Sequence, residues 1–159
     1  MRILVGLDGS IESERGLATV LRLFGRHCGL LVLAEVVHFE AAEEAPSAEV
    51  DAAERHLSEL VSDVQIAGVV HTEVLAGAPG PTLRGFAEQQ DMDLLVVGRR
   101  GQGVSLSPPL RVLGSVSADI VQHSSVPVLV IEPESNIDRS SLRQETNTRP
   151  GADGGPRNT

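Results

Sequence analysis

Lysine is absent from this chain, and all thirteen of its basic residues are arginine. A Walker A loop, a Schiff-base enzyme and a Ser-Lys dyad each need a lysine ammonium, so these three chemistries are excluded. Cysteine is almost absent as well. Because Cys28 is the single cysteine, no internal disulfide can form, and a reducing compartment is favoured. We therefore predict a cytoplasmic protein in which Cys28 is a small core or turn residue.

Long apolar runs and basic stripes are also missing. No stretch approaches the roughly 20 apolar residues that a membrane-spanning helix needs. The N-terminal apolar run, residues 3–7, stops at Asp8 and is too short for a secretory signal. The formal net charge is -9, and an acidic chain is poorly suited to following a phosphate backbone. Neither a membrane nor a nucleic acid is an expected partner.

Short apolar runs alternate with segments of helical periodicity. The predicted strands are residues 3–7, 30–37, 69–75, 94–97 and 126–131. Ser10 is expected to cap the first helix and Ser115 the last, and a short helix is expected to begin near Pro81 or Thr82. Strands that alternate with helices predict an α/β fold, with a parallel sheet covered by helices on both faces.

The pattern ends near Pro133, which divides the chain into two parts. Residues 1–132 are predicted to form one domain, and residues 133–159, rich in polar residues, glycine and proline, to form a disordered tail. The net negative charge is concentrated between Glu35 and Asp63, where we expect a solvated helix face. The histidines show no metal-ligand spacing, so no protein metal site is predicted.

Two glycine-rich segments are the candidate binding site. In an open α/β sheet, ligands bind beyond the carboxyl ends of the strands, where the strand order reverses. Asp8 ends the first predicted strand, and Gly98 and Gly101 follow the fourth. Gly114-Ser115 opens a helix, whose first amides and dipole favour an anion. This arrangement indicates a phosphate cradle, and the alternative is a plain turn followed by an ordinary helix cap.

These segments carry a resemblance to a known family. They read VGLDGS at residues 5–10, LLVVGRRG at 94–101, GSVSADI at 114–120 and SVPVLVI at 125–131. In this order and spacing, the chain resembles the universal stress protein family over about residues 1–132. The resemblance implies a Rossmann-like fold of the adenine nucleotide alpha hydrolase type, with a five-stranded sheet in the order 3-2-1-4-5. It also implies a homodimer joined through the fifth strand, an apolar edge that needs a partner or a cover.

The family's ATP-binding members carry a motif of Gly-x-x-Gly, nine residues, then Gly-Ser or Gly-Thr. The matching residues here are Gly98, Gly101, Gly114 and Ser115. The resemblance implies that the phosphates and ribose lie against this segment, with Asp8 and the backbone of Val36 at the adenine end. The expected ligand is ATP, or AMP or ADP, with Mg²⁺ arriving on the nucleotide, and the expected role is stress response through binding and signalling. The full set of candidate residues is Gly6, Leu7, Asp8, Val36, Val97, Gly98, Arg100, Gly101, Gly114, Ser115 and Val116.

The chain departs from that motif in one respect. Twelve residues, 102–113, separate Gly101 from Gly114, and they include Pro108-Pro109, which supply no amide donors. An alternative function is therefore a family member that has lost the nucleotide and serves as a dimeric protein-interaction module. No catalytic residue is predicted, because Asp8 would face the wrong end of the ligand for a general base. A slow ATPase is the most that the residues indicate.

Overall fold

The computed structural model describes residues 1–37, 47–99 and 113–132. Within these ranges, five strands and four helices alternate along the chain, as the sequence predicts. The strands are β1 (Arg2–Leu7), β2 (Leu30–Val37), β3 (Val69–Ala76), β4 (Leu94–Gly98) and β5 (Val128–Ile131). The helices are α1 (Ile11–Phe24), α2 (Ser47–Asp63), α3 (Pro79–Gln89) and α4 (Ser115–His123). The predicted tail, residues 133–159, lies outside the described residues.

The strands form one parallel sheet in the order β3-β2-β1-β4-β5, which confirms the expected topology. The chain moves outward from β1 to β2 and β3, and then returns to the other side of β1 as β4. Gly6 of β1 consequently pairs with Ala34 on one side and with Val97 on the other. The carboxyl ends of β1 and β4 thus flank the point where the strand order reverses, which is the usual ligand position in this class of fold.

Each face of the sheet carries its own apolar core. Alternating side chains of β1 divide between the faces, with Ile3 and Val5 on the side of α1 and α2 and Leu4 on the side of α3 and α4. Leu57 and Leu60 of α2 are at most 1% exposed. The central strands are buried on both faces, which explains why their sequences are almost continuously apolar.

Besides differences of one residue at an end of β1, β3 and β4, the structure departs from the predicted helix and strand ends in three places. Helix α3 begins at Pro79, two residues before the earlier of its predicted starts, because proline is tolerated in the first turn of a helix. Strand β5 begins at Val128 instead of residue 126. The N-cap of α4 is Gly114, so Ser115 is the first helical residue and its prediction as the cap was wrong. The prediction for Ser10 is confirmed, since its side chain accepts a hydrogen bond from the Ser13 N–H.

None of the helices in residues 1–37, 47–99 and 113–132 is both long enough and apolar enough to cross a bilayer.

Candidate functional site

A cavity of about 910 Å³ opens at the carboxyl end of the sheet. Its walls come from the ends of β1, β2 and β4, the first turn of α4 and one side of α2. Ligand sites commonly have volumes of about 300–1,000 Å³, so this cavity can hold a nucleotide.

Most of the residues that the sequence singled out meet in this cavity. The described candidates that line it are Gly6, Leu7, Asp8, Val36, Val97, Gly98, Gly114, Ser115 and Val116. Residues distant in sequence meet here because parallel strands end at the same edge of the sheet. The remaining two candidates, Arg100 and Gly101, lie outside the described residues.

Hydrogen bonds join the two glycine segments directly. The Gly114 N–H donates to the Arg99 carbonyl at 2.8 Å. The Ser117 hydroxyl donates to that same carbonyl at 2.9 Å and to the Gly114 carbonyl at 3.0 Å. Arg99 is in turn held to β5, because its N–H donates to the Ile131 carbonyl at 2.8 Å. Arg99 and Gly114, the cap of α4, are therefore in contact, although fourteen residues, 100–113, separate them in sequence.

The first turn of α4 faces the cavity. Gly114 has an extended backbone, and among the described residues no side chain caps this helix. The turn contains no acidic residue, and Ser115, Val116 and Ser117 all line the cavity. Helix N-termini offer unbonded amides and the positive end of the helix dipole. This wall is therefore suited to a phosphate or another anion.

The end of β1 supplies a carboxylate. Asp8 Oδ1 accepts hydrogen bonds from the Ser10 N–H at 3.1 Å and from the Ser10 hydroxyl at 2.6 Å. Gly9 between them has a φ of 72°, which glycine adopts without strain. The turn thus holds the carboxylate of Asp8 at the cavity while Ser10 begins α1.

A histidine and two glutamates form a cluster that the sequence reasoning missed. His56 of α2 contacts Glu35 of β2 through Nδ1, and its Nε2 lies 3.1 Å from Glu14 Oε1 on α1. Glu35 is 9% exposed within β2, in the buried strand predicted for residues 30–37, so the solvated face expected for the acidic stretch does not include it. The available signal was a charged residue inside an apolar strand, because a buried charge needs a partner.

Burial and neighbouring charges shift the pKa values of this cluster. Burial raises the pKa of Glu35 above its usual value, against the hydrogen bond and charge of His56, and the charges of Asp8 and Glu14 raise it further. Burial alone would lower the pKa of His56. The hydrogen bonds to Glu35 and Glu14, together with their charges, outweigh burial and raise the pKa of His56. The protonation of Glu35 and that of His56 are therefore linked through their contact as well as through burial.

The cavity has two chemically different ends. Uncapped helix amides and glycines make one wall suitable for phosphate, whereas Asp8, Glu35 and His56 line the other part with polar side chains. In the described part of the chain, no group of three or more His, Cys, Asp or Glu side chains is arranged to hold a metal ion.

Comparison with known sequences and structures agrees with this fold. The profile of the Universal stress protein family matches residues 1–132. Universal stress protein Rv1636 of Mycobacterium tuberculosis is 28% identical over 142 residues, which cover 81% of this chain and 94% of that protein. Universal stress protein Rv2623 of the same organism is 38% identical over 68 residues, which cover 43% of this chain. The chain spans only 21% of the length of that relative.

Solved structures share the architecture. A universal stress protein in complex with cAMP superimposes with a TM-score of 0.58 at 24% identity, covering 84% of this chain and 98% of that one. An Arabidopsis thaliana family protein with AMP bound superimposes with a TM-score of 0.61 at 20% identity, covering 85% and 93%. Since the family profile covers most of the chain and the sheet order agrees, this chain belongs to the universal stress protein family.

Proposed function

We propose that this protein binds an adenine nucleotide in the cavity at the carboxyl end of the sheet. One observation carries the proposal: the hydrogen bond from Gly114 to Arg99 brings Gly98 and the first turn of α4 into one cavity wall. The phosphates would lie against this wall, with the Ser115 hydroxyl donating to a phosphate oxygen. The structures of family members with cAMP and AMP bound support an adenine nucleotide as the ligand.

The other end of the nucleotide would lie between β1 and β2. Asp8 would accept hydrogen bonds from the ribose, and the backbone of Val36 would contact the adenine. Gly6, Leu7 and Val97 would form the floor under the nucleotide, and Arg100 and Gly101 would complete the phosphate cradle. ATP, AMP or ADP satisfies this arrangement, and Mg²⁺ would arrive on the phosphates of ATP or ADP.

The proposed role is a cytoplasmic stress-response protein that acts by binding and signalling. Within this role, residues 1–132 are the nucleotide-binding domain, and the polar segment 133–159 is an appended tail.

Calorimetry with Ser115→Ala tests the proposal. Loss of a hydrogen bond to a charged phosphate should weaken the binding of ATP or AMP by about tenfold. Ser125→Ala is the matched control, because Ser125 is also an exposed serine but hydrogen-bonds to Glu88 instead of lining the cavity. GMP tests whether the base is recognised. Equal affinity of wild type and Ser115→Ala for the nucleotide would remove Ser115 from the site.

Native mass spectrometry of the purified protein separates this function from the alternative. Co-purified ATP, ADP or AMP would support nucleotide binding. The alternative is an interaction module without a ligand, which the stretch 102–113 with Pro108-Pro109 favours. Its signature would be a protein that carries no nucleotide and gives no heat when titrated with ATP, AMP or GMP.

We also propose that two copies associate through β5. This strand lies at one end of the sheet order and consists of the apolar residues Val128–Ile131, three of them only partly buried. An apolar edge strand is prone to pairing with a second strand. Sedimentation velocity at tens of micromolar protein should therefore give twice the chain mass of 16.8 kDa. A single species at the chain mass would refute this association.

A further inference from the structure

The Glu14–His56–Glu35 cluster ties three elements together at the cavity. Glu14 belongs to α1, Glu35 to β2 and His56 to α2. Their side chains are 10%, 11% and 19% exposed, respectively, so water competes little for these contacts. An imidazole can donate from both ring nitrogens only when it is protonated. When Glu14 and Glu35 are both ionised, the two contacts of His56 are therefore satisfied together only in the imidazolium form.

The cluster adjoins the backbone that the nucleotide would touch. Glu35 and His56 line the cavity, and Glu35 pairs with Leu7 in the sheet register. Because side chains alternate along a strand, Glu35 points to the side of α1 and α2 while Val36 packs on the other face. Anchoring the Glu35 side chain thus fixes the end of β2, where the backbone of Val36 lines the cavity. The same anchor holds α2 over this edge.

We propose that protonated His56 is a positioning residue for the adenine-nucleotide site. Clamped between Glu14 and Glu35, it holds α1, β2 and α2 in the arrangement that binds the nucleotide, and loss of its proton weakens binding. The ligand in this inference rests on the proposed function, whereas the cluster rests on the contacts of the described residues. His56 is not assigned a contact with the nucleotide; it acts through the end of β2.

The sign of the pH dependence follows from the charges around His56. Glu14 and Glu35 contact it directly, Asp8 acts on Glu35, and Glu49 of α2 lines the same cavity. The raised pKa of His56 means that the folded protein holds this proton more tightly than the unfolded chain does. The stabilisation is complete below the unfolded pKa, near 6.5, and is lost as pH rises through the higher folded pKa. Deprotonation also removes the hydrogen bond that His56 donates to one of the two carboxylates.

Calorimetry of AMP binding between pH 7 and pH 9 tests the effect on the site. Wild-type affinity should fall by about fivefold over this range, a coupling at the low end for linked sites. His56→Gln carries no charge, so its affinity should be weaker at pH 7 and nearly constant with pH. His71→Gln is the matched control, because His71 is an exposed histidine on β3 outside the cavity, and it should follow wild type. The phosphate of AMP titrates near pH 6, and the comparison of variants at each pH removes that contribution.

Glu14→Gln distinguishes a positioning role from general support of the fold. Glu14 is not among the described residues that line the cavity, and its contact with His56 links it to the site. Removing its charge should shift the midpoint of the wild-type pH profile to lower pH. An unshifted midpoint, or a His56→Gln profile as steep as that of wild type, would overturn the proposal. If His56→Gln does not fold, Glu14→Gln decides alone.

Hydrogen exchange of the ligand-free protein separates this inference from the proposed function. After correction for the intrinsic exchange rate, amide protection in β2 and α2 should fall between pH 7 and pH 9 in wild type and His71→Gln, but not in His56→Gln. If AMP, ATP and GMP give no heat at any pH, the proposed function fails, and with it the nucleotide part of this inference. The exchange data then decide whether His56 holds the three elements together. Equal pH dependence in all three proteins would overturn that role as well.

Discussion

Ser117→Ala should loosen the junction between the two glycine segments and lower the stability of the domain. Ser117 is 2% exposed, and its hydroxyl is shared between the carbonyls of Arg99 and Gly114. Both carbonyls also accept a backbone N–H, from Gly114 and Ala118 respectively, so neither is left without a partner by the substitution. The cost is therefore that of one hydroxyl hydrogen bond and not of an orphaned buried carbonyl.

The expected magnitude follows from three contributions. Loss of one neutral hydrogen bond costs about 1 kcal/mol, and the void left by a single oxygen adds only a few tenths. Alanine is a better helix former than serine, and this offsets about 0.5 kcal/mol of the loss in unfolding free energy. The net loss in unfolding free energy should be about 1 kcal/mol. For a domain of this size, that lowers the melting temperature by about 2–5 °C.

Urea unfolding followed by far-ultraviolet circular dichroism is the suitable assay, since the chain contains neither tryptophan nor tyrosine for fluorescence. Ser115→Ala is the matched variant, two residues earlier in the same turn but exposed. It should unfold within about 0.5 kcal/mol of wild type while binding nucleotide about tenfold more weakly. Ser117→Ala should show the larger loss in stability. An unfolding midpoint of Ser117→Ala equal to that of wild type would refute the reasoning.

Three further substitutions test the packing by the same urea assay. Gly68→Ala should cost about 2–3 kcal/mol, because its Cβ would lie 2.2 Å from the Gly29 carbonyl oxygen, which is backbone and cannot turn away. Gly85→Ala is its counterpart within α3, where a Cβ meets nothing within 4 Å, and it should stabilise by about 0.5–1 kcal/mol. If the unfolding free energy of Gly68→Ala equals that of wild type, the β2–β3 edge is looser than these distances indicate. Leu60→Ala should cost about 2–5 kcal/mol, since Leu60 is 0% exposed. A loss below 1 kcal/mol there would show that α2 is not firmly packed.

The order of the elements was predictable from the sequence because it depends on local patterns. Residues 30–37 were predicted as a strand because they are apolar except for Glu35, and the structure gives β2 the same bounds. Ser10 was recognised as a cap because its hydroxyl bonds to an amide only three residues away. The first residues of α3 and β5 were less predictable. Pro79 suits a turn as well as the first turn of a helix, and Val126 suits a strand as well as the segment that precedes one.

The candidate site was partly predictable for a related reason. Asp8, Gly98 and Gly114 stand at the ends of recognisable elements, and parallel strands bring such ends to one edge of the sheet. The family resemblance added Val36, which local pattern alone would not single out. The length of the segment 102–113 does not show whether the two glycine segments on either side of it lie together or apart. The contact between Arg99 and Gly114 is made by tertiary hydrogen bonds.

Only the tertiary structure brings His56, Glu35 and Glu14 into contact. His56 lies 21 residues from Glu35 and 42 from Glu14 in sequence, and no spacing rule links them. They meet because β2 runs beside β1 and because α1 and α2 cover the same face of the sheet. The sequence by itself determined the strands, the helices and the glycine segments, since local propensity and periodicity specify them. Which charged side chains share a buried space depends on the strand order and helix packing, which only the folded chain establishes.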